Sequence, residues 1–341
     1  MPSAATKQQM PVQGSVKLKR GGKVQKDYTA YIMIAPFIIA YLAFGFYPIV
    51  NTLYLSLTNA TLMSRTYNLQ GLKNFELLIQ DKFFLQSILN TWKIWIMNFI
   101  PQIGIAMLLA VWMTNVRLRI RAIGFWRAVF YLPNLLMPTT VAVLFSSLFD
   151  FYGPANQLLV GGLHFFSEAI NFKINEPFMQ GLVAYIQWWM WFGNTLIILI
   201  AGMSSISESL YEAAMVDGAN TLTMFRKITL PILRPVLVYT LVTSLVGGMQ
   251  MFDIPYLITD GRGSPNGALM TMFVLMYMKF KSSKGHIGLA SAMGIMTFII
   301  TAVVAMVVFF LLRDKDEIAL QKDRKRYKKQ QLIKAKGGAA R

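Results

Sequence analysis

The chain has no cysteine among its 341 residues, which excludes disulfides, thiolate nucleophiles and cysteine-held metals. Charge is scarce: Asp, Glu, Lys and Arg together make up 14% of the residues, where a soluble domain carries about a quarter. Acid is scarcer still, with 15 Asp and Glu against 33 Lys and Arg. There is no Gly-x4-Gly-Lys-Ser/Thr loop, so the chain cannot itself cradle nucleotide phosphates. No convergent nucleophile, base or metal set appears, so no catalytic residue is assigned. Strict alternation over ten-residue segments is absent, which removes a transmembrane β-barrel. Neither a solenoid repeat nor two related halves with matching broken helices can be read.

What is present is apolar. Hydrophobic residues make up 55% of the chain, and the mean hydropathy is +0.48. Runs long enough to cross ~30 Å of hydrocarbon, about 20 residues each, recur along the sequence. In lipid the backbone must bond to itself, so these runs are predicted to be helices. The reading is an all-α polytopic membrane protein with six spans, at about Thr29–Leu55, Phe84–Met113, Gly124–Phe149, Phe178–Met203, Ile232–Ile258 and Ile287–Leu312. Pro36, Pro48 and Pro101 lie inside the first two spans, and Leu132-Pro133 and Met137-Pro138 inside the third. Residues 58–82 and 150–177 are read as outside loops. The first run is longer than a signal-peptide core and is read as a retained span. Ala268–Phe280 is apolar and methionine-rich but too short to span, so a helix lying at the outer surface is expected. His164 and His286 fall outside the membrane core, and no metal site is expected. Three regions result: a basic, disordered cytoplasmic tail over 1–27, a transmembrane domain over 28–313, and a second basic cytoplasmic tail over 314–341.

The net charge of +18 suggests nucleic acid until its location is considered. Lys17, Lys19, Arg20, Lys23 and Lys26 precede the first span; Arg117, Arg119, Arg121 and Arg127 lie between the second and third; Arg324, Lys325, Arg326, Lys328 and Lys329 follow the last. Clusters on alternate loops follow the positive-inside rule and face anionic lipid. Both termini are therefore placed in the cytoplasm, and nucleic acid is not expected as a partner.

Residues 204–231 form a polar insert between two spans. Ser205-Ile206-Ser207-Glu208 has capping-box spacing, which predicts a helix start there. Gly218 suits a left-handed residue ending that helix. Thr221 is expected to cap a second helix over Leu222–Ile228, Pro231 to stop it, and Pro235 to sit in the first turn of the fifth span. Ala213, Ala214, Gly218 and Ala219 keep the insert slim, and Glu212 offers a carboxylate to an arginine in a groove wall. Asp217 falls at the helix end, within reach of backbone groups.

The insert carries a pattern: Glu212-Ala213-Ala214, three residues, Gly218-Ala219, then Phe225, Ile228, Leu230, Pro231 and Pro235. It resembles the EAA loop of ABC importer permeases. Residues from about 28 to 313 resemble sugar-type permeases similar to the membrane subunits of the maltose importer, through Ala35-Pro36-Phe37, Tyr47-Pro48, Gly71-Leu72-Lys73-Asn74-Phe75 and Phe252-Asp253. The extra N-terminal spans and large outside domain of one maltose subunit are absent here. The resemblance implies a type I importer permease fold and a second homologous permease in the inner membrane. It also implies two ATPase subunits that bind ATP and magnesium and dock at Glu212, Ala213, Ala214, Asp217, Gly218, Ala219 and Phe225. An external sugar-binding protein would deliver the carbohydrate. The chain itself would hold no cofactor.

The same resemblance places Gln187, Met190, Trp191, Asn194, Ser244, Gly248 and Met251 at sugar-contacting positions. Amides beside aromatic faces suit sugars. Gln187, Trp191 and Asn194 have the spacing of one helix face, as do Ser244, Gly248 and Met251, and the two faces are expected to line a cavity near mid-membrane. Ordinary helix packing is the competing reading for each residue. Asp253 is assigned to a helix end or loop and Lys93 to snorkelling. An ion-coupled secondary sugar carrier remains the alternative, and a membrane enzyme is the third class considered.

Overall fold

A computed structural model describes residues 29–115 and 121–312. The N- and C-terminal basic clusters, with Arg117 and Arg119, lie outside the described residues. The chain divides into two compact units, Met1–Asn51 and Thr52–Arg341.

In the first unit α1 (Thr29–Tyr41) runs through a π turn (Leu42–Phe46) into α2 (Tyr47–Ser56). Pro48 explains the turn: its ring would crowd the carbonyl four residues back, and it brings no N–H. The π turn adds a residue there, and the Tyr47 N–H reaches back to the Leu42 carbonyl. From Tyr31 to Tyr41 the side chains of α1 are apolar on all sides and, Ala35 apart, exposed, as is Phe44 at 84%. Such a helix belongs in lipid or against another chain.

In the second unit, which starts at Thr52 within α2, the loop after that helix is pinned by Asn74. Its Nδ2 donates to the Ser56 and Thr58 carbonyls, both at 2.8 Å. The expected outside loop at 58–82 contains a helix, α3 (Lys73–Gln80), which buries Leu78. Asp81 then caps α4 (Lys82–Thr114) by accepting the Phe83 N–H at 2.8 Å. Lys279 pairs with Asp81 at 3.2 Å.

The third span is broken, where one continuous run was expected. α5 (Ile123–Tyr131) passes into a short 3-10 turn (Leu132–Leu135), and α6 (Pro138–Leu148) leaves at a bend of 87°. Pro133 and Pro138 each remove a backbone donor, and the residue before Pro138 is driven to extended backbone, with Met137 at φ −67, ψ 132. The following segment holds α7 (Pro154–Asn156), a π turn (Gln157–Gly162) and a 3-10 turn (Phe172–Ile174). A Lys173–Asp150 pair at 2.7 Å anchors it, and the Lys173 hydrogen bond lowers the Asp150 pKa.

α8 (Glu176–Ser204) packs along α4 as the central helix pair. Ala106 and Ala110 of α4 are fully buried; small residues there let the helices approach. Gln102 donates to Thr195 Oγ1 at 2.7 Å in the buried seam. The insert then contributes α9 (Glu208–Val216), α10 (Thr221–Met224) and a π turn (Phe225–Thr229), which feeds directly into α11 (Leu230–Met249).

The fifth span is also interrupted. α11 ends at Met249, and α12 (Asp253–Thr259) starts after a break at residues 250–252. Inside a continuous helix Pro255 would cost about 3 kcal/mol; the break moves it into the first turn of α12, where its missing N–H is harmless. Thr271 Oγ1 holds the break by donating to the Met251 carbonyl at 2.7 Å. α13 (Met272–Lys281) is capped by Thr271 and packs on α14 (Ile287–Leu312) and α4. At ten residues it is about 15 Å long, half a membrane crossing. Residues 268–271 lie before it rather than in it.

Among the described residues, five helical stretches are long and apolar enough to cross a membrane, or up to six with the bent pair as one span. The architecture is all-helical among the described residues, a multi-pass membrane protein of the expected class.

Candidate functional site: the insert between α8 and α11

Residues 205–229 fold as two helical arms around a glycine corner. α9 does not start with the expected capping box. Its N-cap is Ser207, whose hydroxyl lies 2.8 Å from that of Ser209, while Ser205 turns back to donate to the Gly202 carbonyl at 2.7 Å. The corner itself follows the expectation. Gly218 has φ +77, the Gly218 N–H donates to the Met215 carbonyl at 3.1 Å, and the Ala219 N–H donates to the Ala214 carbonyl at 2.8 Å. These two bonds are a Schellman motif. The second arm is capped by Asn220, not Thr221: Asn220 Oδ1 accepts the Thr223 N–H at 2.8 Å. Pro231 does not stop this arm. The π turn absorbs the proline, and the Leu230 N–H reaches the Phe225 carbonyl.

A cross-tie fixes the two arms. Tyr211 OH on α9 lies 2.8 Å from Thr229 Oγ1 at the end of the π turn. Tyr211 packs with Ile228 on the apolar cluster of Ile206, Met203, Leu199 and Leu233. Force applied to α9 therefore reaches α8 and α11 through packed side chains. The tie joins residues 18 apart, and no local pattern announces it.

The outward face of α9 is Ser209, Glu212, Ala213 and Val216, all exposed, at the i, i+3, i+4, i+7 spacing of a helix face. Val216 is 88% exposed, and Leu222 beyond the corner 56%. Isolated exposed apolar residues are ordinary, but these two stand on either side of the Gly218 corner and make it an apolar tip. Neither residue was predicted; an apolar side chain inside an otherwise polar insert was the available signal. Asp217 ends α9, its N–H donating to the Ala213 carbonyl at 3.0 Å. Its exposed carboxylate stands at the negative end of the helix, so the helix gains nothing from it. Phe225 is half-buried at the start of the π turn.

On its other side α9 closes a cavity of ≈ 360 Å³, lined by Glu208, Tyr211, Glu212, Met215, Phe225 and Arg127 among others. Arg127 comes from α5, and its Nε is buried without a hydrogen-bond partner. The cavity thus joins the broken span to the insert and places a cation with two carboxylates around one space.

The residues expected at the sugar path separate in two. Gln187, Trp191 and Asn194 share one strip of the continuous α8; Trp191 is 51% exposed and the two amides are half-buried. Met190 is buried in the core cluster that also holds Met251. Ser244 and Gly248 face Trp95 of α4: Trp95 Nε1 donates to the Ser244 carbonyl at 3.1 Å, and a Cβ on Gly248 would overlap the Trp95 ring. Met251 lies beyond the end of α11, so Ser244, Gly248 and Met251 do not form the single helix face that their spacing predicted. Asp253 lies in the first turn of α12, at a helix end as expected and where the dipole favours an acid. Lys93 is exposed on α4.

Comparison with known proteins places this geometry. Residues 82–314 match the family described as binding-protein-dependent transport system inner membrane component. The lactose transport system permease protein LacF of Rhizobium radiobacter is 28% identical over 292 residues, covering 85% of this chain and 95% of LacF. The probable ABC transporter permease protein YesP of Bacillus subtilis is 31% identical over 304 residues, covering 87% and 94%. The arabinooligosaccharides transport system permease protein AraP of Bacillus subtilis is 28% identical over 284 residues, covering 83% and 88%. Among solved structures, a chain of a bacterial alginate ABC transporter in complex with alginate pentasaccharide-bound periplasmic protein superimposes with a TM-score of 0.71 at 22% identity, covering 85% of this chain and 96% of that one. The chain belongs to the binding-protein-dependent transport system inner membrane component family, as a membrane-spanning permease subunit and not an enzyme.

Proposed function

We propose that the chain is one of two homologous permeases that together form the import path for a carbohydrate, an oligosaccharide in the fuller reading, in an ATP-driven importer fed by an external binding protein. The observation that carries the proposal is the insert: a cross-tied, two-armed element whose apolar tip residues Val216 and Leu222 are exposed beside the acidic Glu212 and Asp217. Two ATPase subunits, holding ATP and magnesium, dock on this insert and its counterpart in the second permease. Glu212 and Asp217 meet cations of the ATPase groove, and Val216 and Leu222 enter its apolar floor. Movement of the ATPase is passed through Tyr211 and Thr229 into α8 and α11. The alternation of the basic clusters supports a cytoplasmic position for residues 204–231 and both termini. Relatives named for lactose and arabinooligosaccharides support the substrate class.

The sugar path runs along the α8 strip. Gln187 and Asn194 would be costly facing lipid tails, so the strip turns toward the second permease across the path, with Trp191 presenting a ring to the sugar. Met190, Ser244, Gly248 and Met251 support the path from behind by positioning α8, α4 and the break after α11. An ion-coupled carrier would need charged groups within the spans to couple to; Asp253 and Lys93 lie at a helix start and on an exposed face.

Trp191→Ala and Asn194→Ala should each weaken the sugar interaction by about 1–3 kcal/mol, so uptake selectivity or rate shifts by roughly tenfold while the importer still assembles. Radiolabelled-sugar uptake with co-purification checks both halves. Parental uptake of every tested sugar by both mutants would show that this strip packs against protein.

A further inference from the structure

A second cavity lies away from the insert, between α4 and α11, with a volume of ≈ 470 Å³. Phe99 and Ile103 form one wall, and Leu230, Leu237 and Leu241 the other, with Arg234 among them. The wall residues on α11 recur at helical spacing, so they form one continuous stripe along that helix. From residue 230 to residue 241 the stripe runs about 16 Å at ~1.5 Å per residue, close to the half-thickness of a ~30 Å hydrocarbon layer. A groove one leaflet long, apolar along its length and cationic near one end, has the chemistry of a phospholipid.

Arg234 stands one turn above the start of α11 and is half-buried. Side chains on a helix lean toward its N-terminus, which carries the guanidinium toward the Leu230 end and the headgroup level. Its five donors can serve a phosphate together with any contact inside the protein. Arg226 and Lys227, in the π turn just before α11, add positive potential at the same level, where anionic lipid is attracted.

We infer that this groove is a binding site for an anionic phospholipid of the cytoplasmic leaflet, one acyl chain lying along Phe99, Ile103, Leu237 and Leu241 and the phosphate held by Arg234. The inference rests on the membrane orientation proposed above but not on the transported substrate. Its test is read without transport, so failure of either leaves the other standing.

The intact importer is reconstituted in phosphatidylcholine vesicles containing a minority of phosphatidylglycerol, then extracted in mild detergent, and the retained lipid is quantified by mass spectrometry. The parent should retain phosphatidylglycerol above its vesicle ratio. Arg234→Gln should reduce that enrichment roughly tenfold, the order expected for losing a hydrogen bond to a charged group. Arg234→Lys should keep most of it. Leu237→Trp, which fills the groove and leaves the charge, should displace both lipids and gives a reading if Arg234→Gln does not assemble. No enrichment in the parent would overturn the inference, as would equal enrichment in Arg234→Gln. So would cross-linking of Val238→Cys, on the same wall, to the partner permease in the membrane, which would show a protein helix in the groove.

Discussion

Glu212→Lys should abolish carbohydrate uptake while the chain remains inserted at parental levels. Glu212 is exposed on the outward face of α9 and borders the ≈ 360 Å³ cavity that contains Arg127. Reversal of its sign sets one cation against both the proposed basic wall of the ATPase groove and Arg127. Truncating one partner of a desolvated charge pair costs about 2–5 kcal/mol, and reversal adds repulsion, so the ATPase should be lost on purification. Gly218→Val should give a graded version of the same defect. At φ +77 a Cβ meets nothing within 4 Å, so the penalty is backbone strain alone, about 1–2 kcal/mol. Gly218→Asn, which tolerates this conformation, should recover much of the loss. Co-purification of the ATPase together with uptake distinguishes these outcomes; normal uptake in both Glu212→Lys and Gly218→Val would remove the docking role from the insert.

The second large effect concerns assembly of the chain itself. Gly193 on α8 faces the C-terminal end of α5, and a Cβ there would overlap the Phe130 carbonyl and come within 2.8 Å of Tyr131 Cα. Both obstacles are backbone, so no side-chain rotation relieves them. Gly193→Val should cost about 3 kcal/mol or more by overpacking, and the chain should fail to accumulate in the membrane. Gly247→Ala, at a site where a Cβ meets nothing within 4 Å, should accumulate normally. Immunodetection in isolated membranes compares the two; equal amounts of Gly193→Val and parent would show that α5 and α8 are not packed as described.

These contrasts mark what a sequence can show. The start of the sixth span at Ile287 was legible, because a long apolar run with a loop before it leaves one solution in lipid. The Gly218 corner was legible because few residues other than glycine adopt its backbone. Proline placement was legible as trouble but not as an outcome. Pro48 and Pro231 are absorbed by π turns, Pro133 and Pro138 break a span, and Pro255 is relieved by a break at residues 250–252. Which remedy is used depends on neighbours distant in sequence, such as Thr271 bonding the Met251 carbonyl. The site was half legible for the same reason. Glu212 and the small residues around it follow a local pattern. The Tyr211–Thr229 tie, the Arg127 contribution and the packing of Ser244 and Gly248 on Trp95 are tertiary facts. The spacing of Ser244, Gly248 and Met251 was helical, but the helix ends before the third of them.

The central claim is that the tip of the insert enters the ATPase. A photo-cross-linking amino acid at Val216, which is 88% exposed in this chain, tests it most directly in the assembled importer in native membranes. The account predicts one dominant product, with the combined mass of the permease and one ATPase subunit, reduced when Glu212→Lys is added. Cross-linking from position 216 to the external binding protein, or to no protein at all in an importer that still transports, would contradict it.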